Sequence, residues 1–145
     1  MHIYTRLIDE ALIPAEPYIL LVDDQDESLR PLGELVQVAG FRSLAAMSAH
    51  DALACCVRSK PTVMVTDLVM PGKDGRELAR RVRRHHPALP MLLVTGQDLD
   101  HPDWSVPAGL FQSIFAKPLD FDRFLGTLAR LMPSPRCRGS NPGRP

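Results

Sequence analysis

Cysteine, aromatic residues and net charge are all scarce in this chain, and each scarcity excludes something. Three cysteines, of which Cys55 and Cys56 are adjacent, make neither a disulfide framework nor a zinc-ligand spacing. Lysine plus arginine and aspartate plus glutamate both number 17, so no bulk charge draws the chain toward nucleic acid or an anionic membrane. No apolar run approaches the roughly 20 residues that span a bilayer. Neither a helix-turn-helix nor an internal repeat can be read. A reducing, cytoplasmic setting is the expectation. What is present, 45% hydrophobic and 23% charged residues over 145 positions, suits one globular domain with a real core.

That core is written as short apolar runs that each stop at a polar residue. Tyr18 to Val22 runs into Asp23-Asp24, Val63 to Val65 into Thr66-Asp67, Met91 to Val94 into Thr95-Gly96, and Ser113 to Ala116 into Lys117-Pro118. Continuous rather than alternating apolar runs, separated by stretches of helical period, are what a parallel sheet covered on both faces requires. Taken alone, Asp67 is an acid opening a turn before the breakers Pro71-Gly72 and Gly75, a common place for aspartate. Taken with the others, it shares the carboxyl edge of a sheet, where open α/β folds bind ligands.

Between the runs, residues 26–39 read as a helix with Leu29, Leu32, Leu35, Val36 and Ala39 inward and Gly40 as its stop. Pro31 sets its expected start a few residues late. Residues 41–46 form a weaker run, expected at a sheet edge. Residues 48–58 are a second helix capped by Ser48, in which the vicinal cysteines pack. Residues 74–86 are a third, with Leu78, Ala79 and Val82 inward. Its five arginines read as a solvated face and not as a nucleic-acid site, and Pro87 ends it after His85 and His86. The last helix, with Phe121, Phe124, Leu125, Leu128 and Leu131 at helical spacing, covers the sheet. Three segments follow: an extension at 1–16 with a short amphipathic pattern, a domain at 17–132, and a Pro/Gly/Arg tail at 133–145 expected to be disordered.

Asp23-Asp24, Asp67 with its Leu-Val-Met-Pro-Gly continuation, Thr95 and Lys117-Pro118 resemble, in order and spacing, the receiver domain of two-component response regulators. The resemblance covers roughly residues 17–132. It implies a flavodoxin-like (βα)5 fold, a doubly wound parallel five-stranded sheet of order 2-1-3-4-5. It implies a signalling switch in a phosphorelay, with Asp67 taking a phosphoryl group from a histidine kinase or histidine phosphotransfer protein. Such a domain assists its own phosphorylation and dephosphorylation and is not a turnover enzyme. Crowded carboxylates need a cation, and Mg²⁺ (or Mn²⁺) accepts oxygen ligands while leaving positions open for phosphate. The resemblance assigns its direct ligation to Asp24, Asp67 and the Val69 backbone carbonyl, with Asp23 acting through water. Lys117, the Thr95 hydroxyl and the Gly96 N–H fall to the phosphoryl oxygens, and Val69 and Gln97 to positions that tune hydrolysis. Homodimers are compatible with it; membrane and direct nucleic-acid contacts are not expected.

Two positions depart from the family pattern. Three residues before the lysine, where the family carries a switch aromatic, this chain has Ile114, with Phe115 on the opposite strand face. Where the family has its fourth helix, residues 97–110 contain Pro102 and Pro107, so a helix opened at Pro102 would be broken at a cost of about 3 kcal/mol. A single turn or irregular loop is expected there, with Trp104, the one tryptophan, laid over the core. These departures keep an alternative open: a receiver-like module that binds a partner constitutively, without phosphorylation. A phosphatase of the aspartate-nucleophile class would place a second carboxylate two residues after Asp67, and Val69 stands there instead. Both a single-domain regulator and the receiver of a larger chain, similar to those of hybrid histidine kinases, satisfy the sequence.

Overall fold

The computed structural model describes residues 17–72 and 74–133. The expected amphipathic extension at 1–16 and nearly all of the Pro/Gly/Arg tail lie outside them. Five strands run parallel in the order β2-β1-β3-β4-β5. They are β1 (Ile19–Val22), β2 (Ser43–Ala46), β3 (Val63–Thr66), β4 (Met91–Thr95) and β5 (Ser113–Ala116). Four α-helices alternate with them: α1 (Asp26–Val38), α2 (Ala49–Arg58), α3 (Gly75–His85) and α4 (Phe121–Leu131). The expected fold and strand order are both present, and β2 is an edge.

The continuous apolar runs divide by alternation into two cores. Leu20, Val22, Met64 and Leu93 face α2 and α3, where they meet Ala52, Cys55, Leu78 and Val82. Ile19, Leu21, Val65 and Leu92 face the other way, onto Leu29 and Val36 of α1 and Phe124 and Leu128 of α4. β1 to β4 are therefore buried on both sides, while β5 at the sheet edge is only partly covered, and the polar residues gather at the strand ends. Cys55 and Cys56 are packing residues, as expected, and burial pushes both thiols up to about 12, which keeps them protonated.

Local chemistry fixes the helix ends. The Ser48 side chain accepts the Asp51 N–H at 3.1 Å, and Asp74 accepts those of Arg76 and Glu77 at 2.9 and 3.0 Å. At the end of α1, Gly40 takes φ +98°; its N–H donates to Gln37 and that of Phe41 to Val36, so the last carbonyls are satisfied as in a Schellman motif. α1 begins at Asp26, where the helical pattern of residues 26–39 opens, and not a few residues later as Pro31 suggested; the proline lies inside it. The proline removes one bond of the ladder, but the helix buries Leu29, Gly33 and Val36 in return, and that packing decides the start.

Between β4 and β5 a single 3-10 turn, Pro102–Trp104, replaces a helix, with Pro102 at its opening as expected. Trp104 is half-buried and lies with Leu99 and Val106 on the core beneath α3. The arginines of α3 correct a second reading. Arg80, Arg81 and Arg84 are exposed, but Arg76 and Arg83 turn inward and bond to backbone carbonyls. No helix among the described residues is long and apolar enough to cross a membrane.

Candidate functional site

Parallel strands bring their carboxyl ends to one edge, and the residues that follow them gather there. Asp23 and Asp24 follow β1, Asp67 follows β3, Thr95 ends β4 and Lys117 follows β5, just ahead of a cis Lys117-Pro118 peptide. The Lys117 ammonium lies 3.3 Å from Asp67 Oδ2 and 3.6 Å from Asp23 Oδ2, so one cation bridges two acids. The other oxygen of each acid is held by backbone: Asp67 Oδ1 accepts the Leu68 N–H at 2.7 Å, and Asp23 Oδ1 that of Gln25 at 3.1 Å. Thr95 is buried, and its side-chain oxygen accepts the Gln97 N–H at 3.1 Å. Its carbonyl accepts the Lys117 N–H at 2.9 Å, which fixes where the lysine begins.

The edge remains short of positive charge. Asp23 is pushed up to about 6, first by burial and then by the charge of Asp67, against the opposing pull of the Gln25 N–H and Lys117. Because the folded value lies above the ordinary 3.8, the folded state holds this proton more tightly than the unfolded chain. Stability contributed by the proton is complete at low pH and lost as pH rises through about 6. Asp23→Asn is therefore expected to stabilise the metal-free protein by on the order of 1–2 kcal/mol at pH 8, and hardly at all near pH 4. Thermal melts at the two pH values check this; a gain equal at both would show that the carboxylate charge is not the cause.

Other expected residues fall around this cluster. Val69 is 38% exposed between buried Leu68 and Met70, beside the acids, and Gln97 is exposed. A Cβ at Gly96 would meet only Lys117 Cβ, at 4.0 Å, so the space there does not depend on glycine. Ile114 packs on the α2/α3 core. Phe115 lies on the opposite face, edge-on to Phe124 at 5.4 Å with the Arg123 guanidinium 4.6 Å from its ring centre, so Ile114 supplies no ring and the ring of Phe115 is engaged elsewhere. Among the described residues no group of three His, Cys, Asp or Glu side chains is arranged to hold a metal ion. The donor set implied by the resemblance contains only two such side chains and a carbonyl.

Sequence reading missed three contributors. Thr66, fully buried, donates its hydroxyl to the Asp67 carbonyl at 2.9 Å. Gly75, read as a turn glycine, packs so closely that a Cβ there would lie 2.2 Å from the same carbonyl oxygen. A crevice of about 270 Å³ also opens beside the acids, with Asp67 and Lys117 at one end and Leu32, Leu119 and Phe121 along its walls. Only the close Gly75 contact left a trace in the sequence, as a second glycine shortly after the breaker pair Pro71-Gly72.

Comparison with known proteins bears on the fold and the family. Residues 19–129 match the family described as the response regulator receiver domain. The chain is 32% identical over 117 residues to the C4-dicarboxylate transport transcriptional regulatory protein DctD of Rhizobium meliloti. That match takes in 80% of this chain but 25% of DctD, so the chain spans about a quarter of that relative's length. Among solved structures, the signal receiver domain of an HD domain-containing protein from Pseudomonas fluorescens superposes with a TM-score of 0.72 at 26% identity. It covers 80% of this chain and 94% of that one. The response regulator TrrA of Thermotoga maritima, solved with Mg²⁺ and BeF, has the same fold, with a TM-score of 0.72 at 24% identity over 80% of this chain and 99% of its own. With the sheet order, the acidic edge and the bridging lysine in place, the chain belongs to the receiver domains of two-component response regulators.

Proposed function

We propose that this receiver domain is a phosphorylation switch whose acceptor is Asp67, loaded by a histidine kinase or histidine phosphotransfer protein. The observation that carries the reading is the Lys117 ammonium held 3.3 Å from Asp67 Oδ2, at the mouth of a strand and open to solvent. In the transfer, an Asp67 carboxylate oxygen forms the new bond to phosphorus as the phosphorus–nitrogen bond to the donor imidazole breaks. The Leu68 N–H holds Oδ1 and so orients the carboxylate, while Lys117 neutralises a phosphoryl oxygen. The Thr95 hydroxyl still has its proton to donate, and turning it toward a phosphoryl oxygen loosens its bond from the Gln97 N–H.

Oxygen donors and a surplus of negative charge suit a hard divalent cation, Mg²⁺ or Mn²⁺, held by Asp24, Asp67 and the Val69 carbonyl, with Asp23 through water. TrrA, a protein of the same fold, was solved with Mg²⁺. When bound, such an ion supplies further neutralisation of the transferring group.

The test is intact mass after incubation with acetyl phosphate, with Mg²⁺ and with chelator. One added phosphoryl group in Mg²⁺ and none in chelator is expected. A folded chain that binds Mg²⁺ and stays unmodified would overturn the reading. It would favour a module with constitutive, phosphorylation-independent binding, for which the Ile114 side chain and the missing fourth helix speak. The lifetime of the product is expected to be intermediate: exposed Val69 hinders water and the Gln97 amide orients it. Decay followed by mass should change in Val69→Ala and Gln97→Ala, and decay unchanged in both would remove that role.

A further inference from the structure

We infer that Arg76 is a positioning residue that couples the loop after Asp67 to the segment after Thr95, in the place where a fourth helix is missing. The inference rests on Asp67 as the acceptor. An irregular segment must find partners for its carbonyls outside itself. Arg76 supplies them: its Nη1 donates to the Asp103 carbonyl at 3.1 Å and the Ser105 carbonyl at 2.8 Å, and its guanidinium lies 5.8 Å from the Trp104 ring centre. On the same side chain, Nε and Nη2 donate to Asp74 Oδ2 at 3.2 and 2.6 Å. A planar guanidinium makes these contacts at once; an ammonium cannot.

Asp74 in turn is tied to the acceptor loop. It caps α3, and the next residue, Gly75, donates its N–H to the Leu68 carbonyl at 2.7 Å. Leu68 is also the residue whose N–H holds Asp67 Oδ1. The connection from Asp67 to Trp104 thus runs through Leu68, Gly75 and Arg76 in direct contacts. Seven residues along α3, Arg83 Nη2 donates to the Leu110 carbonyl at 2.6 Å and Nη1 to that of Pro87 at 2.9 Å. The far end of the segment is therefore anchored away from the acids, while the near end is held by a side chain that follows the acceptor loop. A route through an inward-turning aromatic is not available here, because position 114 holds isoleucine and Phe115 is packed on the opposite face of β5. A phosphoryl group that shifts Asp67 and Leu68 shifts Gly75 and Arg76 with them, and the population of segment positions changes.

Trp104 is the only tryptophan and reports directly on this contact. The full chain is incubated with acetyl phosphate and Mg²⁺, and three quantities are followed: intact mass, Trp104 emission, and amide exchange of residues 98–105. Wild type is expected to gain one phosphoryl group and to change both emission and exchange. Arg76→Lys is expected to gain the group to the same stoichiometry but to lose most of both changes. If Arg76→Lys does not fold, Asp74→Asn keeps a capping oxygen, removes the charge that holds Arg76, and is expected to show the same loss. A merely structural arginine would raise exchange equally in both states and leave the difference between them intact, which would overturn the inference. So would a phosphorylated wild type whose Trp104 does not respond. A wild type that takes up no phosphoryl group would instead bring down the acceptor assignment, and the coupling with it, so the mass measurement separates the two failures.

Discussion

Asp67→Asn is expected to abolish phosphoryl uptake completely while leaving the fold intact. Asparagine has the shape of aspartate, and its carbonyl oxygen can still accept the Leu68 N–H that now meets Oδ1 at 2.7 Å. It has no anionic oxygen to attack phosphorus, so the loss is of the nucleophile and not of geometry. The charge change works in favour of stability, since Asp23 loses the neighbouring carboxylate that helps to raise it. Lys117 keeps Asp23 as a partner at 3.6 Å. Intact mass after acetyl phosphate treatment, beside an unchanged circular dichroism spectrum, checks both halves. Uptake that persisted in the asparagine variant would move the acceptor to another carboxylate of the same sheet edge, Asp23 or Asp24.

Gly75→Ala is expected to be costly for a residue at the first position of a helix. Replacing glycine by alanine ordinarily gains up to about 1 kcal/mol in a helix. Here the new methyl group would stand 2.2 Å from the Asp67 carbonyl oxygen and 3.2 Å from Leu68 Cα. Both are backbone atoms of the loop that follows β3 and cannot swing aside, so α3 must move off the loop and stretch the 2.7 Å bond from Gly75 N–H to the Leu68 carbonyl. Overpacking of this kind costs about 1–3 kcal/mol, and a net loss of that order is expected in urea unfolding. Phosphoryl uptake should slow as well, because the strand end that presents Asp67 is displaced. An alanine variant as stable and as reactive as wild type would show that α3 does not rest on this loop.

Much of the fold was legible because its cause is local. Four apolar runs ending in Asp23-Asp24, Asp67, Thr95 and Lys117 are a pattern that only a doubly covered parallel sheet uses economically, and all four became strands. Ser48 capped α2, Gly40 stopped α1, and Pro102 with Pro107 prevented a fourth helix, each through backbone chemistry confined to a few residues. Pro31 did not delay the start of α1, because the helix buries Leu29 and Val36 on either side of it.

The sequence by itself determined the class of fold, the residues at the carboxyl edge and the interruption after Thr95. Periodicity, turn chemistry and proline geometry act between near neighbours, and near neighbours are what a sequence displays. Only the tertiary structure decided that Lys117 bridges Asp67 and Asp23, that Gly75 lies against the Asp67 carbonyl, and that Arg76 and Arg83 are struts rather than solvated charges. These depend on groups that meet across 50 residues for Lys117 and Asp67, and across 29 and 27 for the two arginines and their carbonyls. Charge bridging, close backbone approach and carbonyl capture are set by where folding places both partners, and no pattern in either partner's own stretch of chain records the meeting.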